Sequence, residues 1–366
     1  MIPRVLSKSL RRSLMPLRML KRNSGLGIQY IVEPRNWSIR DDGVQIAREV
    51  NRSNHGYRMA ITNKPFLASA PIVHFGSQFM FQNWASSFPK ETKIVVTYFH
   101  GKYGDGPLIE KNLNFLTENQ DRVDSVVVSF SLMKERLIEN GVNPRLLKQI
   151  PIGVSTTIFE PPSSKEQIAS IRKSLGIPSS HFIIGSFQKD GEGWKDGLKP
   201  KLIKGPDIFV ETVRELSREL PIFILLSGPS RGFVMRKLDS YKIPYAHFAA
   251  QNSNEMAKLY QALDLYLITS REEGGPKGLI ESLAVGCPVV TTPVGMATDM
   301  LMDGKSSSVT LGFDPHQIAS ECLNVLLSTA KKLSREELRS KVLAFDWKNI
   351  AELHLNQVYE TLIRRG

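Results

Sequence analysis

Glu273 and Glu281 stand eight residues apart around Gly274-Gly275-Pro276-Lys277-Gly278, and an apolar run ending in Cys287-Pro288-Val289-Val290 follows. The spacing predicts a helix from Pro276 to about Ala284, because proline fits the first helical turn, where its missing N–H costs nothing. Backbone amides at the start of such a helix, here those of Lys277 and Gly278, favour an anion such as phosphate. Gly274, Gly275 and Leu279 complete the expected seat. A carboxylate one turn into the helix, Glu281, is suited to the vicinal hydroxyls of a ribose. Glu273, just ahead of the helix, is placed to hold hydroxyls beyond the phosphate. Two acids flanking an anion site suit a nucleoside diphosphate sugar.

Such a ligand needs cations. Lys189 in "GSFQKD" and Lys204 in "KLIKGPD" fall at the end of one predicted strand and the start of the next helix. Each group also has a plainer reading: Lys201 and Lys204 as a surface pair, Glu281 as a helix salt bridge. Their convergence on one place favours the site. Three other motifs carry less. "GEGWKDG" departs from the spacing of a dinucleotide-binding loop. "DGKSS" near Lys305 lacks the glycine of a phosphate loop, and Asp41-Asp42 reads as a solvated loop pair.

The chain has 366 residues, 41% of them hydrophobic and 23% charged, which predicts a globular protein of two domains. No apolar run reaches the roughly 18 residues of a membrane span. Cys287 and Cys322 read as buried reduced thiols of a cytosolic protein, with no metal-cluster spacing. The net charge of +12 is concentrated: residues 1–22 hold seven Lys or Arg, and the first acid is Glu33. Val5, Leu6, Leu10, Leu14 and Leu17 recur at helical spacing, so an anionic membrane surface is one expected partner. A solvated basic tail and a transit peptide are the other readings. Nucleic acid is not expected, since no aromatic residues interleave with these cations.

The positioning elements follow from the hydropathy pattern. "GIQYIVE", "APIVHFG", "TKIVVTYFHG", "VDSVVVSFS" and "LKQIPIGVS" read as strands separated by helices. "PRNWSIRDDG" reads as a loop leading into the helix "VQIAREVNR". "IFEPPSSKEQ" marks a boundary. The alternation then restarts with "FIIGSFQ", "IFILLSG", "YAHFAA", "DLYLITS" and "PVVTT", and the chain closes in three helical segments. This α/β alternation predicts two doubly wound parallel sheets with the ligand at the carboxyl ends of their strands. The expected divisions are a basic segment 1–24, a first domain 25–160, a nucleotide-sugar domain 161–345 and a final helix 346–366.

Taken together, Glu273-x7-Glu281 with "SLAVGCPVVTTPVG", "VVSFSLMKERLIENGV", "IPIGVSTTIFEPP", "SFQKD…KG", "ILLSGPSR", "LYQALDLYLITSREEG" and "FDWKNIAELHLNQVYETLI" resemble the retaining family 4 glycosyltransferases across nearly the whole chain. The resemblance implies the GT-B fold: two Rossmann-like domains facing a central cleft, the C-terminal helix crossing back to the first. It implies a metal-independent transferase moving a sugar from a nucleotide sugar, used as substrate with no cofactor, to a glycan or lipid-linked acceptor. Glu273 would hold the donor sugar, Glu281 the ribose, and Lys189 and Lys204 the leaving diphosphate. His100, in "VVTYFHG", matches a histidine often found beside the reacting sugar, with a loop histidine capping the strand as the alternative. The implied setting is cell-surface polysaccharide assembly at the cytoplasmic membrane face.

The sequence departs from the family pattern in three places. Gly275-Pro276 replaces an aromatic-glycine pair, Lys189 stands for the usual arginine and so lacks its bidentate fork, and the glycine pair after the first strand is absent. His74 and Trp37 are candidates on the acceptor side, with packing roles as the alternative. A noncatalytic sugar-nucleotide-binding or partner-binding protein, and a nucleotide-sugar epimerase, are the competing functions.

Overall fold

The computed structural model describes residues 27–34, 38–301, 307–327 and 333–363. The basic segment 1–24, Trp37 and Lys305 lie outside them, as do the expectations attached to those residues. The chain divides into two compact units, residues 1–153 with 347–366, and residues 154–346. The division falls at Gly153–Val154, ahead of the Pro161-Pro162 boundary expected from composition.

Unit 1 is built on a parallel six-stranded sheet of order β2-β1-β3-β4-β5-β6. Its strands are β1 (Gly27–Ile31), β2 (Arg58–Thr62), β3 (Ile72–Phe75), β4 (Lys93–Thr97), β5 (Ser125–Val128) and β6 (Leu147–Gln149). Every residue of β3 and β5 is buried, as expected of strands covered on both faces. The helix after β1 runs Ser38–Arg52, so "SIRDDG" is helical rather than loop. Asp42 lies on that helix and is buried, a correction to the solvated loop pair expected there. β2 escapes the hydropathy pattern because it is an edge strand with Arg58 and Ala60 exposed.

The C-terminal segment completes this unit. Helix Trp347–His354 continues through a π-helical turn, Leu355–Tyr359, into Glu360–Ile363. Tyr359 is thereby brought to His74: its hydroxyl lies 2.7 Å from His74 Nδ1, while His74 Nε2 lies 2.8 Å from Thr97 Oγ1. His74 is fully buried. It is a core residue, and the acceptor-side alternative is set aside. Burial, reinforced by nearby His354, pushes the His74 imidazole well below its usual pKa. Burial lowers His354 to about 4.

Unit 2 holds the second parallel six-stranded sheet, of order β12-β11-β10-β7-β8-β9. Its strands are β7 (Phe182–Phe187), β8 (Ile222–Ser227), β9 (Tyr245–Phe248), β10 (Leu265–Ile268), β11 (Val289–Thr291) and β12 (Ser308–Val309). β7 to β9 step outward in one direction, and β10 then pairs with the other side of β7. Such a reversal of strand order, here at the carboxyl ends of β7 and β10, is where ligands of open α/β sheets bind. Helices Pro206–Glu219 and Pro315–Leu327 pack their apolar faces on the sheet through Phe209, Val213, Leu216, Ile318 and Cys322. Cys287 and Cys322 are both free and buried; burial raises both thiols, Cys287 to about 12. Neither is a thiolate at neutral pH. Among the described residues no helix is long and apolar enough to cross a membrane.

Candidate functional site

The switch between β7 and β10 carries most of the residues selected from the sequence. β7 delivers Gln188, Lys189 and Asp190, and β10 delivers Thr269 to Glu273. A short 3-10 turn, Leu202–Lys204, precedes helix Pro206–Glu219. Gly205 joins them in the left-handed conformation, φ +61°, against β10: a Cβ there would fall 1.8 Å from the Thr269 carbonyl oxygen. Only glycine permits this approach. Thr269 Oγ1 donates to the Gly205 carbonyl at 2.9 Å, and Arg271 N to that of Ile203 at 2.9 Å. The Arg271 guanidinium grips Asp207 with two bonds of 2.8 and 2.6 Å. Burial works against Asp207 ionisation, yet that guanidinium holds its carboxyl below the usual range.

This lacing sets Lys204 beside Glu273. Lys204 Nζ donates to Glu273 Oε1 at 2.5 Å, and Ser270 Oγ donates to the same oxygen at 2.8 Å. The two side chains are 24% and 14% exposed, so the pair is half sheltered but reachable. Lys201 lies close by. Desolvation and then the ammonium groups of Lys204 and Lys189 lower its pKa, with Glu273 and Glu192 opposing. Three lysines thus share one field, a concentration of positive charge suited to a polyanion. Lys201 was weighed from the sequence only as part of a surface pair; its spacing of three from Lys204, across a 3-10 turn, puts both on one face.

Lys189 Nζ donates to the Gly191 carbonyl at 2.7 Å and stands 5.1 Å from the centre of the Trp194 ring. Beneath it lies a feature the sequence did not disclose. Arg231, 1% exposed, reaches under the end of β7 from the loop after β8. Its Nη1 donates to the carbonyls of Ser186 at 2.6 Å, Gln188 at 3.1 Å and Ser227 at 3.1 Å. Its Nη2 lies 3.1 Å from Asp190 Oδ2, both side chains being fully buried. Burial raises the Asp190 carboxyl pKa, and Arg231 draws it back. The only sequence signal was an arginine in the glycine-proline turn after a strand.

The glutamate helix runs Lys277–Ala284, with Pro276 as its N-cap rather than its first helical residue. Gly278 and Leu279 are held by packing as well as placed at the seat expected of them. A Cβ on Gly278 would fall 2.4 Å from the Tyr266 hydroxyl, so this glycine is bare to admit a buried ring. Leu279 is fully buried, and its amide already donates to the Pro276 carbonyl at 2.9 Å. The Gly278 amide, second in the helix, has no acceptor within the helix. Gly274 and Pro276 are buried, whereas Gly275 and Lys277 are partly exposed. Glu281 is partly exposed, and Tyr260 OH donates to its Oε2 at 3.0 Å. Tyr260 packs edge-on against Phe187 and Tyr266. Tyr266 OH in turn bridges the amide and carbonyl of Phe187 at 3.2 and 3.3 Å.

His100 belongs to unit 1, on the segment after β4. Gln78 Nε2 donates to its carbonyl at 3.1 Å, and Phe99 N donates to Gln78 Oε1 at 3.3 Å, so one buried side chain ties that segment down. Among the described residues no group of three His, Cys, Asp or Glu side chains is disposed to hold a metal ion.

Residues 198–328 match the family described as Glycosyl transferases group 1. Over 280 residues the chain is 25% identical to the D-inositol 3-phosphate glycosyltransferase of Corynebacterium kroppenstedtii, covering 72% of this chain and 59% of that protein. Anabaena Alr3699/HepE, solved with UDP and glucose, superposes with a TM-score of 0.73 at 16% identity, over 93% of this chain and all of the other. Sucrose-phosphate synthase of Thermosynechococcus elongatus superposes with a TM-score of 0.69, also at 16% identity, over 93% of this chain and 100% of that one. The two parallel six-stranded sheets of this chain have the GT-B architecture of these solved structures, and the stretch 198–328 is similar to the group 1 glycosyl transferases.

Proposed function

We propose that this protein transfers a sugar from a nucleoside diphosphate sugar to an acceptor hydroxyl, with retention at the anomeric carbon. The observation that carries the proposal is the Lys204–Glu273 pair at the β7/β10 switch, inside the field of Lys189 and Lys201. A diphosphate draws Lys204 to itself and leaves Glu273 oxygens for the sugar hydroxyls. As the glycosidic bond breaks, its electron pair passes to the diphosphate, where the lysines meet the growing charge; such preorganised stabilisation is commonly the largest catalytic contribution. The acceptor hydroxyl oxygen bonds to the same face that the diphosphate leaves, and its proton passes to the departing diphosphate oxygen. Glu281, steadied by Tyr260, takes the ribose diol. The resemblance of "VVTYFHG" alone supports a role for His100 at the reacting sugar.

The names of similar proteins support the reading: a glycosyltransferase acting on an inositol phosphate, and HepE structures with UDP, UDP and glucose, and UDP-glucose. The three lysines supply the charge that a divalent cation otherwise brings to a diphosphate, so the reaction is proposed to run without one. The acceptor is proposed to be a glycan or lipid-linked sugar in cell-surface polysaccharide assembly, met at the cytoplasmic membrane face through residues 1–22.

The test is a thermal-shift screen of UDP-, GDP- and ADP-sugars, followed by release of the nucleoside diphosphate with lipid-linked sugar, oligosaccharide and inositol 3-phosphate as acceptors. Binding to the folded state raises the melting temperature. Stabilisation by one nucleotide sugar, and acceptor-dependent turnover that persists in EDTA, are expected. No stabilisation by any of the nucleotide sugars would overturn the proposal.

A further inference from the structure

Between Lys189 and Lys204 the chain makes an excursion, Gly191 to Pro200, that the donor site as described does not use. It is a built element. Gly191 and Pro200 form an antiparallel bridge at its neck, Glu192 N donates to the Lys199 carbonyl at 2.8 Å, and Lys201 N to that of Asp190 at 2.7 Å. Its base is locked to the loop after β8: Gly232 N donates to the Asp196 carbonyl at 2.7 Å and Phe233 N to that of Gly197 at 3.0 Å. Gly197 has φ +69° and presses on Ser230, and below lies the buried Asp190–Arg231 pair. Residues 192–196 at the tip are all exposed, and Gly193 turns there with φ +73°. The outcome of this anchoring is one large aromatic side chain, Trp194, 54% exposed and facing the Lys189 ammonium.

We propose that Trp194 is a sugar-contacting residue of the donor site, its indole face stacking on the apolar face of the transferred sugar when the diphosphate takes Lys189. The proposal rests on the donor-site reading above. Two observations direct the ring to the sugar rather than to the base. Lys189, its immediate neighbour, shares the field of Lys201, Lys204 and Glu273, the diphosphate and sugar end of the site. At the Glu281 end Tyr260 already packs edge to face on Phe187 and Tyr266, which are tilted against each other. An indole combines a broad apolar face with a polar edge, which suits the C–H face of a pyranose. An exposed ammonium–indole contact is weaker than a charge-assisted bond to phosphate. Diphosphate therefore wins Lys189, and the indole exchanges its cation for the sugar. Nucleotide affinity and sugar recognition become coupled through one side chain.

The test uses the full chain as wild type, Trp194→Ala and Trp194→Phe, titrated with UDP and UDP-glucose, and with the GDP–GDP-mannose and ADP–ADP-glucose pairs. The readout is the ratio of the dissociation constant for the diphosphate to that for its sugar. This ratio is expected to fall about three- to tenfold in Trp194→Ala and to stay within about twofold in Trp194→Phe. Affinity for the diphosphate alone stays level or rises, since Lys189 loses a competitor. A ratio unchanged in Trp194→Ala overturns the stacking role. Equal weakening of diphosphate and sugar nucleotide also overturns it, because the residue would then only support its loop. No binding of any pair to the wild type removes the donor-site reading itself, and this proposal with it. Melting temperatures of the variants confirm folding, the substitution being at an exposed tip.

Discussion

Lys204 and Glu273 hold each other at 2.5 Å, although the proposed chemistry asks each to face a different part of a nucleotide sugar. The ion pair keeps both side chains from wandering, and in the proposed reaction a diphosphate exchanges it for a stronger set of contacts. Lys204→Ala and Glu273→Ala are each expected to cut kcat by about a hundredfold or more, the scale seen when one stabilising group is removed. The double variant is expected to lose far less than the product of the two, since the groups are in direct contact. Steady-state turnover of the three variants checks this. Additive losses would show that the two act separately.

The Arg231–Asp190 pair beneath the end of β7 predicts an asymmetry between breaking and replacing it. Asp190→Ala leaves a guanidinium buried without its carboxylate, a loss of about 3–5 kcal/mol. Denaturant midpoints measure it. A change below about 1 kcal/mol would mean that the carbonyls of Ser186, Gln188 and Ser227 suffice to hold Arg231.

Gly278 predicts a packing defect rather than a lost phosphate contact. Its added Cβ in Gly278→Ala would meet the fully buried Tyr266, which ties down both the amide and the carbonyl of Phe187. Overpacking of this kind costs about 1–3 kcal/mol. The variant is expected to unfold at lower denaturant with the cost shared by the end of β7. Full stability together with lost nucleotide binding would return Gly278 to the role of an open phosphate seat.

His74 and His354 predict a pH dependence of stability in unit 1. Both have folded-state pKa values below the unfolded value of about 6.5, His354 at about 4. In that window the unfolded chain binds protons that the folded chain does not. Stability is therefore full above about pH 6.5 and is lost as pH falls toward 4, with a slope of up to about 1.4 kcal/mol per pH unit for each histidine. The melting temperature over pH 7.5 to 4.5 checks it, and His354→Leu is expected to flatten the curve.

The sequence carried the parallel α/β alternation because buried strands such as IFILLS declare themselves by composition, and the two glutamates and two lysines of the proposed site could be selected because their types are chemically legible. Other features stayed hidden for physical reasons. β2 is an edge whose exposed Arg58 and Ala60 blur its pattern, and β12 is two residues long. Lys201 acquires meaning only when the 3-10 turn sets it beside Lys204. The packing role of Gly278 stayed hidden because a bare backbone serves an anion and a neighbouring tyrosine equally well. Arg231 is charged, and charge ordinarily signals the surface; no pattern announces a guanidinium that satisfies strand-end carbonyls from below. Trp194 sat in a glycine-rich stretch whose wrong spacing for one motif said nothing about its own use.

The return of the C-terminal segment to unit 1 gives the chain an order of completion. Residues 154–346 form an uninterrupted unit, while unit 1 needs both ends of the chain. The bond between His74 and Tyr359 closes across 285 positions of sequence. During synthesis every residue of unit 2 is therefore released before Tyr359 is added, and His74 waits for a partner made 285 residues later. The half proposed to bind the donor can fold and load while the other half is still unfinished, and contacts of such long separation form slowly even afterwards.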